Sequence, residues 1–294
     1  MDITTTSRKK QSLYKDIWRR FRKSPAAMIG LVIIIILILA AIFADVITVE
    51  GLDYQNLDRM FLTPMTRSDD MLHILGTDNL GRDLLTRIVY GTRTSLQIGF
   101  IVVTISMALG IILGSIAGYY GGIPDNIIMR MVDIILAVPN ILMAIAIASA
   151  LGPGIVNVMI AVGIGAIPGF ARVVRAAVLS VRENEFIEAA RAIGGNDFRI
   201  ITRYILPNCM APIIVQSTLG LAGAILSAAA LSFIGLGIQP PIPEWGYMLS
   251  QGLRFIRDYP YLSLYPGLAI AVVVLALNML GDGLRDAFDP KLKR

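Results

Sequence analysis

The chain has 294 residues, of which 55% are hydrophobic and 16% charged, and its mean hydropathy is +0.70. That excludes an ordinary soluble domain, which sits near about 45–50% apolar, and assigns the chain to the membrane class. The net charge is +5, and a single cysteine and a single histidine exclude an internal disulfide and a zinc site built from histidines alone.

Residues 1–25 are basic, with Tyr14, Ile17, Trp18 and Phe21 at near-helical spacing. They read as an amphipathic cytoplasmic segment on the anionic membrane surface, with a partner-binding helix as the alternative. Six apolar runs follow, at about 26–47, 95–119, 127–150, 154–176, 211–238 and 261–283. Crossing a hydrocarbon core of roughly 30 Å takes about 20 residues as a helix, and lipid tolerates no unpaired backbone, so each run is predicted to be a transmembrane helix. The fold class is therefore all-α with six spans. Residues 26–94 hold the first span, read as uncleaved, and an outer segment. In that segment Leu80, Leu84, Leu85 and Ile88 form one stripe, while Arg82, Asp83 and Arg87 fall away from it. This predicts a helix lying in the interface, with docking of an external partner as the alternative.

Residues 95–283 form a five-helix core. The turns Tyr119–Asp125 and Leu151–Gly154 are short and rich in Gly and Pro, which makes spans two, three and four neighbours. Arg130 and Asp133, and again Asp282 and Arg285, are spaced to pair on one helix face as structural or gating ion pairs. No carboxylate sits near a membrane midplane, which argues against a proton-driven carrier. The fifth span is crowded with small residues suited to close helix packing, and its Ser227 and Ser232 are candidate path-lining groups. The segment 239–260 opens with Gln239-Pro-Pro-Ile-Pro-Glu-Trp245, read as a stiff extended stretch whose Trp245 and Tyr247 anchor in the headgroup layer. Residues 284–294 form a cytoplasmic tail. With the N-terminus inside, 19 Lys and Arg fall inside and 7 outside, and every Lys is inside. The positive-inside rule then puts both termini in the cytoplasm. This distribution explains the basic balance without nucleic acid.

The one large polar island in the second half is the loop 182–208. Glu183, Glu185 and Glu188 gather at the start of a helix over about 184–193, where negative charge suits the macrodipole. Phe186, Ala189, Ala190 and Ile193 share one apolar face, shallow enough for another surface to close on. Gly194-Gly195 ends this helix, and Asn196 or Asp197 caps a second one, which stops before Pro207. Connectors in helical bundles usually run about 2–8 residues, so so much capped structure predicts a docking knob for a soluble partner.

The stretch Glu188-Ala-Ala-Arg-Ala-Ile-Gly194, followed nine residues on by Tyr204-Ile-Leu-Pro207, resembles the EAA coupling loop of binding-protein-dependent ABC import permeases. Three more stretches narrow the resemblance to the dipeptide, oligopeptide and nickel branch, and to the second, C-type permease of the pair. They are His73-Ile-Leu-Gly-Thr-Asp-Asn-Leu-Gly-Arg-Asp83, Ala230-Leu-Ser-Phe-Ile-Gly-Leu-Gly-Ile-Gln-Pro240 with Trp245-Gly246, and Leu280-Gly-Asp-Gly-Leu-Arg-Asp-Ala-Phe-Asp-Pro290. The resemblance runs from about residue 13 to the end; one departure is Tyr204, where the family pattern has Ile. It implies a type I importer permease in a bacterial inner membrane. Its implied partners are a homologous second permease, two cytoplasmic ATPases and an extracytoplasmic solute-binding protein. Glu188, Ala189, Ala190 and Gly194, with Phe186, Ile193, Leu206 and Pro207, would carry the coupling to an ATPase. The chain itself has no G-x-x-x-x-G-K-[ST] phosphate loop, so ATP and Mg would belong to partner subunits and this chain would be non-catalytic. Dipeptides or oligopeptides are the implied cargo, with nickel chelates or another small solute as the alternative. A stand-alone secondary transporter is the rival class, and it would show midplane carboxylates, inverted repeats or broken helices. A membrane enzyme lacks a constellation within any span, and direction against an exporter rests on the resemblance alone.

Overall fold

A computed structural model describes residues 13–48 and 50–289. The predicted contributions of Arg8, Lys9, Lys10, Lys291, Lys293 and Arg294 to the charge balance, and the placement of the Tyr14 side chain, lie outside what is described. Helix α1 (Leu13–Phe21) turns at Ser24, whose hydroxyl caps α2 (Pro25–Ile42) by accepting from Ala27 N at 3.3 Å. Proline at the first helical turn costs nothing there, because its missing N–H would be unpaired anyway. A short helix α3 (Ala44–Ile47) leads to the far-end segment. This segment carries a hairpin of β1 (Thr66–Ser68) antiparallel to β2 (Met71–His73), with Thr66 opposite His73.

Helix α4 (Leu84–Tyr120) has 37 residues, so the second span and the predicted interface helix are one continuous rod. Asp83 starts it by accepting from Thr86 N at 2.8 Å. The residues read as falling away from an interfacial stripe are buried: Arg82, Asp83 and Arg87 all lie inside a cap formed by the far-end loops. Helices α5 (Gly122–Ala137) and α6 (Asn140–Leu151) replace the predicted straight third span, with an 86° bend between them. The break falls at Val138-Pro139, where proline forces its predecessor out of helical geometry. It seats Asn140 over Gly165 of α7 (Ile155–Arg182). Two short helices follow, α8 (Glu185–Ala192) and α9 (Asp197–Ile200). Then come α10 (Met210–Phe233), α11 (Trp245–Leu253) and α12 (Tyr261–Phe288). Among the described residues five helices are long and apolar enough to cross a membrane, and the bent pair makes a sixth if counted as one span.

The α4–α7 pairing is the most extensive in the molecule, with α10 beside both and α2 laid against α12. Gly110, Gly114 and Gly118 form one face of α4. A Cβ at Gly114 would lie 2.6 Å from the Ala171 carbonyl oxygen, and one at Gly118 would lie 2.8 Å from Cβ of Val178. In lipid, helix association rests on such close backbone approach. The small residues read from the fifth span also pack: Ala222, Ala224, Ala228 and Ala229 are buried.

The segment 239–260 differs from a lipid-anchored strand. Trp245 is fully buried, and its indole N–H donates to the Ile88 carbonyl at 3.1 Å. Glu244 caps α11 by accepting from Gly246 N and Tyr247 N, each at 2.9 Å, while burial pushes its carboxyl pKa up. Phe61 stacks on Tyr259 at 4.4 Å, and the Tyr261 hydroxyl donates to the Leu62 carbonyl at 2.9 Å. The far-end loops are therefore a packed lid on the bundle. Ser232 belongs to this framework and lines no path: it is fully buried, and its hydroxyl accepts from Ile238 N at 3.2 Å. Ser227 is half-buried on α10.

Candidate functional site: a helical knob

The knob starts where α7 ends. Glu185 and Glu188 fill the first turn of α8, next to its unpaired N–H groups. Gly194 takes φ +81°, its N–H reaches Arg191 O at 2.9 Å, and Gly195 N reaches Ala190 O at 3.0 Å. That pair of bonds is a Schellman cap, which needs a left-handed residue at this position. Asn196 then opens α9 by accepting from Arg199 N at 2.8 Å. The second helix does not stop before Pro207. It passes through a wide π-type turn, Ile201–Ile205, and a tight turn, Leu206–Cys209, into α10, so the helical path runs from Asp197 to Phe233. Pro207 sits early in the tight turn, where its missing N–H leaves no interior bond broken.

The two faces of α8 separate cleanly, although not as the periodicity suggests. Ile187 and Ala190 point inward, into a core with Ile200, Ile205, Cys209 and Val178. Ala190 is thus a packing residue and not part of an open surface. Phe186 and Ile193 point outward, 45% and 82% exposed, with Ala189 between them and Phe198 of α9 78% exposed nearby. Glu188 and Arg191 flank this apolar facet, also exposed. Leu206 is half-buried and Pro207 exposed at the junction with α10.

A latch ties the knob to the end of α4, beyond its covalent links to α7 and α10. The Tyr119 hydroxyl donates to Asp197 Oδ1 at 2.7 Å, and the Arg191 guanidinium lies 5.2 Å from the Tyr119 ring centroid. Arg182 Nη1 donates to the Gly118 carbonyl at 2.8 Å. An open cleft of about 550 Å³ lies between these groups and Glu188. No motif marked Tyr119, because its role depends on which helix end the knob folds onto.

The predicted ion pairs rearrange. Asp133 does not pair with Arg130 but reaches across to Arg172 of α7 at 2.6 Å. One turn closer to the knob, Arg175 grips Asp125 through two bonds of 2.5 and 2.6 Å. Bonds between helices thus replace the same-face pair, because α5 leans on α7 and brings the carboxylates to its arginines. Arg130 is exposed, and among the described residues no ion pair joins Asp282 to Arg285, both of which face outward.

Solved structures share this architecture. A chain from "Inward facing conformations of the MetNI methionine ABC transporter" superposes with a TM-score of 0.56 at 18% identity, over 69% of this chain and 97% of that one. A chain from "Crystal structure of an amino acid ABC transporter with histidines" gives 0.53 at 16% identity, over 68% and 94%. The bundle with its knob therefore has the fold of these ABC transporter chains. Residues 110–294 match the family described as binding-protein-dependent transport system inner membrane component, and residues 12–64 match the N-terminal TM domain of oligopeptide transport permease C. The dipeptide transport system permease protein DppC of Alkalihalophilus pseudofirmus is 50% identical over 282 residues, 96% of this chain and 91% of that one. DppC of Haemophilus influenzae is 43% identical over 281 residues, 95% of each chain. The glutathione transport system permease protein GsiD of Escherichia coli is 45% identical over 284 residues, 95% of this chain and 91% of that one. This chain belongs to the binding-protein-dependent transport system inner membrane component family. It is a multi-pass inner-membrane permease subunit of an ABC transporter.

Proposed function

We propose that this permease is one half of an ATP-driven importer of short peptides, and that a cytoplasmic ATPase docks on α8. The observation that carries this is the exposed facet of Phe186, Ala189, Ile193 and Phe198, set on a capped knob with its own buried core. An apolar facet in water has a cost that a partner surface removes, and its charged rim matches the make-up of a protein interface. The positive-inside distribution supports a cytoplasmic knob and cytoplasmic termini. A homologous permease completes the path, two ATPases bind ATP and Mg, and a solute-binding protein delivers the cargo. In this assembly the chain hydrolyses nothing. Closure of the ATPases displaces the knob, and the displacement enters α7 and α10 through the chain and α4 through the Tyr119 latch. The bent α5–α6 pair follows α7 through Asp125–Arg175 and Asp133–Arg172.

Peptide cargo is supported by the dipeptide permeases among the relatives, and the glutathione relative points to a tripeptide-sized limit. The test is uptake of a labelled dipeptide by proteoliposomes holding this permease with its copurifying permease and ATPases and the binding protein. Uptake is expected only with ATP and binding protein together. Uptake without ATPases would establish a stand-alone carrier instead, and competition by glutathione would measure how far the cargo extends.

A further inference from the structure

The knob-side ends of α7, α10 and α12 enclose an open cleft of about 730 Å³. Its walls are mostly aliphatic, yet Ser180, Asn208, Gln216 and Arg285 line it too. Gln216 is the informative one. It lies six residues past Met210, the start of α10, which is about 9 Å along the helix at 1.5 Å per residue. That places it inside the apolar run 211–238. Its side-chain amide is half-buried and makes no hydrogen bond among the described residues. Gly169 of α7 lies beside it without a side chain: an added Cβ would sit 3.4 Å from Gln216 Nε2. An amide held against hydrocarbon without a partner is costly. A lipid chain is therefore a poor occupant of this cleft, and a molecule that makes hydrogen bonds is a good one.

We propose that the cleft holds the solute on its way through, as a short extended peptide whose backbone pairs with Gln216 and Asn208 and whose carboxylate faces Arg285. This rests on the reading of the chain as a peptide permease and names the residues that would touch the cargo. Each peptide unit carries one donor and one acceptor, and a primary amide answers both. Asn208 Nδ2 already donates to the Tyr204 carbonyl at 2.7 Å, which leaves its Oδ1 to accept. From Ser180 to Val173 the α7 wall runs about 10 Å, the reach of about three extended residues. The aliphatic remainder of the wall takes side chains of many kinds without selecting one.

The test uses the assembled transporter in lipid nanodiscs, with the subunits that copurify, and a charged, water-soluble methanethiosulfonate reagent. Cys209 is buried, so an introduced thiol is the one that reports. Val173→Cys, at the deep end of the cleft, is expected to be modified readily. Leu275→Cys, at a position 59% exposed on the apolar surface of α12, is expected to react far more slowly. Glycyl-leucine is expected to slow modification of Val173→Cys. Adding Gln216→Leu is expected to weaken that protection about two- to tenfold, as for one net hydrogen bond, while Gln216→Asn keeps part of it. Equal rates at the two thiols would mean that lipid or the second permease fills the cleft. No protection by glycyl-leucine, or protection untouched by Gln216→Leu, would mean that the cleft is wet but holds no solute. Each of these results overturns the proposal. None of the rates depends on nucleotide, so the importer reading is tested apart, by uptake of the same dipeptide with and without ATP. Uptake without ATP, with protection intact, would sink that reading and leave the site standing; ATP-driven uptake with protection absent would sink the site alone.

Discussion

Gly194 is the position where the least chemistry does the most. A Cβ there would meet nothing within 4 Å, so crowding is not what selects glycine; the left-handed backbone at φ +81° is. A β-branched residue in that region costs about 1–2 kcal/mol, and the cap holding α8 against α9 would open. Gly194→Val is expected to insert normally but lose most solute uptake, while Gly194→Asn, which tolerates that backbone, keeps most of it. Uptake per unit of membrane-inserted protein distinguishes the two, and equal uptake by both variants would remove the cap from the mechanism. The glycine was legible from sequence as a helix end. What was not legible was which way Ala189 and Ala190 point, because two adjacent alanines fit either side of an amphipathic boundary. Only the Ile187, Ile200 and Ile205 core decides that Ala190 turns inward. Trp245 is hidden from sequence for a related reason. Beside prolines and a glutamate it looks like a membrane-surface anchor, yet Glu244 caps a helix that carries it into the bundle.

Between elements, two contacts govern how motion would pass. The α4–α7 seam depends on Gly110, Gly114 and Gly118. Gly114→Leu forces these helices apart, and overpacking of this kind costs about 1–3 kcal/mol. A lower unfolding midpoint in nanodiscs is expected, together with reduced uptake; an unchanged midpoint would show that the seam is looser than described. The stripe was present in the sequence at four-residue spacing, but a long apolar run gives no hint of which neighbour it faces. The second contact is the Tyr119–Asp197 latch. Tyr119→Phe keeps the ring and the Arg191 contact but deletes one hydrogen bond, worth about 0.5–1.5 kcal/mol. The expected result is near-normal stability with less solute moved per ATP hydrolysed, and an unchanged ratio would mean that the knob does not drive α4 through this bond. The bend at Val138-Pro139 was written in the chain as a proline inside an apolar run. Hydropathy alone joined the two halves into one span.

For the whole molecule, hydrophobic run length was enough to find five of the spans among the described residues, because lipid admits few alternatives to a helix of about 20 residues, but not the bend in the third run. The far-end loops escaped that logic. Their polar sequence hides a lid built from Arg59 paired with Glu50 and Asp69, His73 beside Asp83, and Phe61 stacked on Tyr259. The ion pairs span nine or ten residues within one irregular loop and the stack joins two distant loops, so none follows a helix or strand period. The ion pairs were half-legible: Asp133 was recognised as a partnered carboxylate, but its arginine comes from α7 rather than from its own helix.

Docking of α8 on a nucleotide hydrolase is tested most directly by a cysteine at Ile193, the most exposed apolar residue of the knob. Cys209 is buried, so the new thiol is the one that a polar crosslinker reaches. In proteoliposomes that are transporting solute, Ile193→Cys is expected to crosslink to an ATPase subunit, with a yield that changes when ATP is added. Crosslinks that reach only other proteins or lipid, in vesicles still accumulating solute, would contradict the docking.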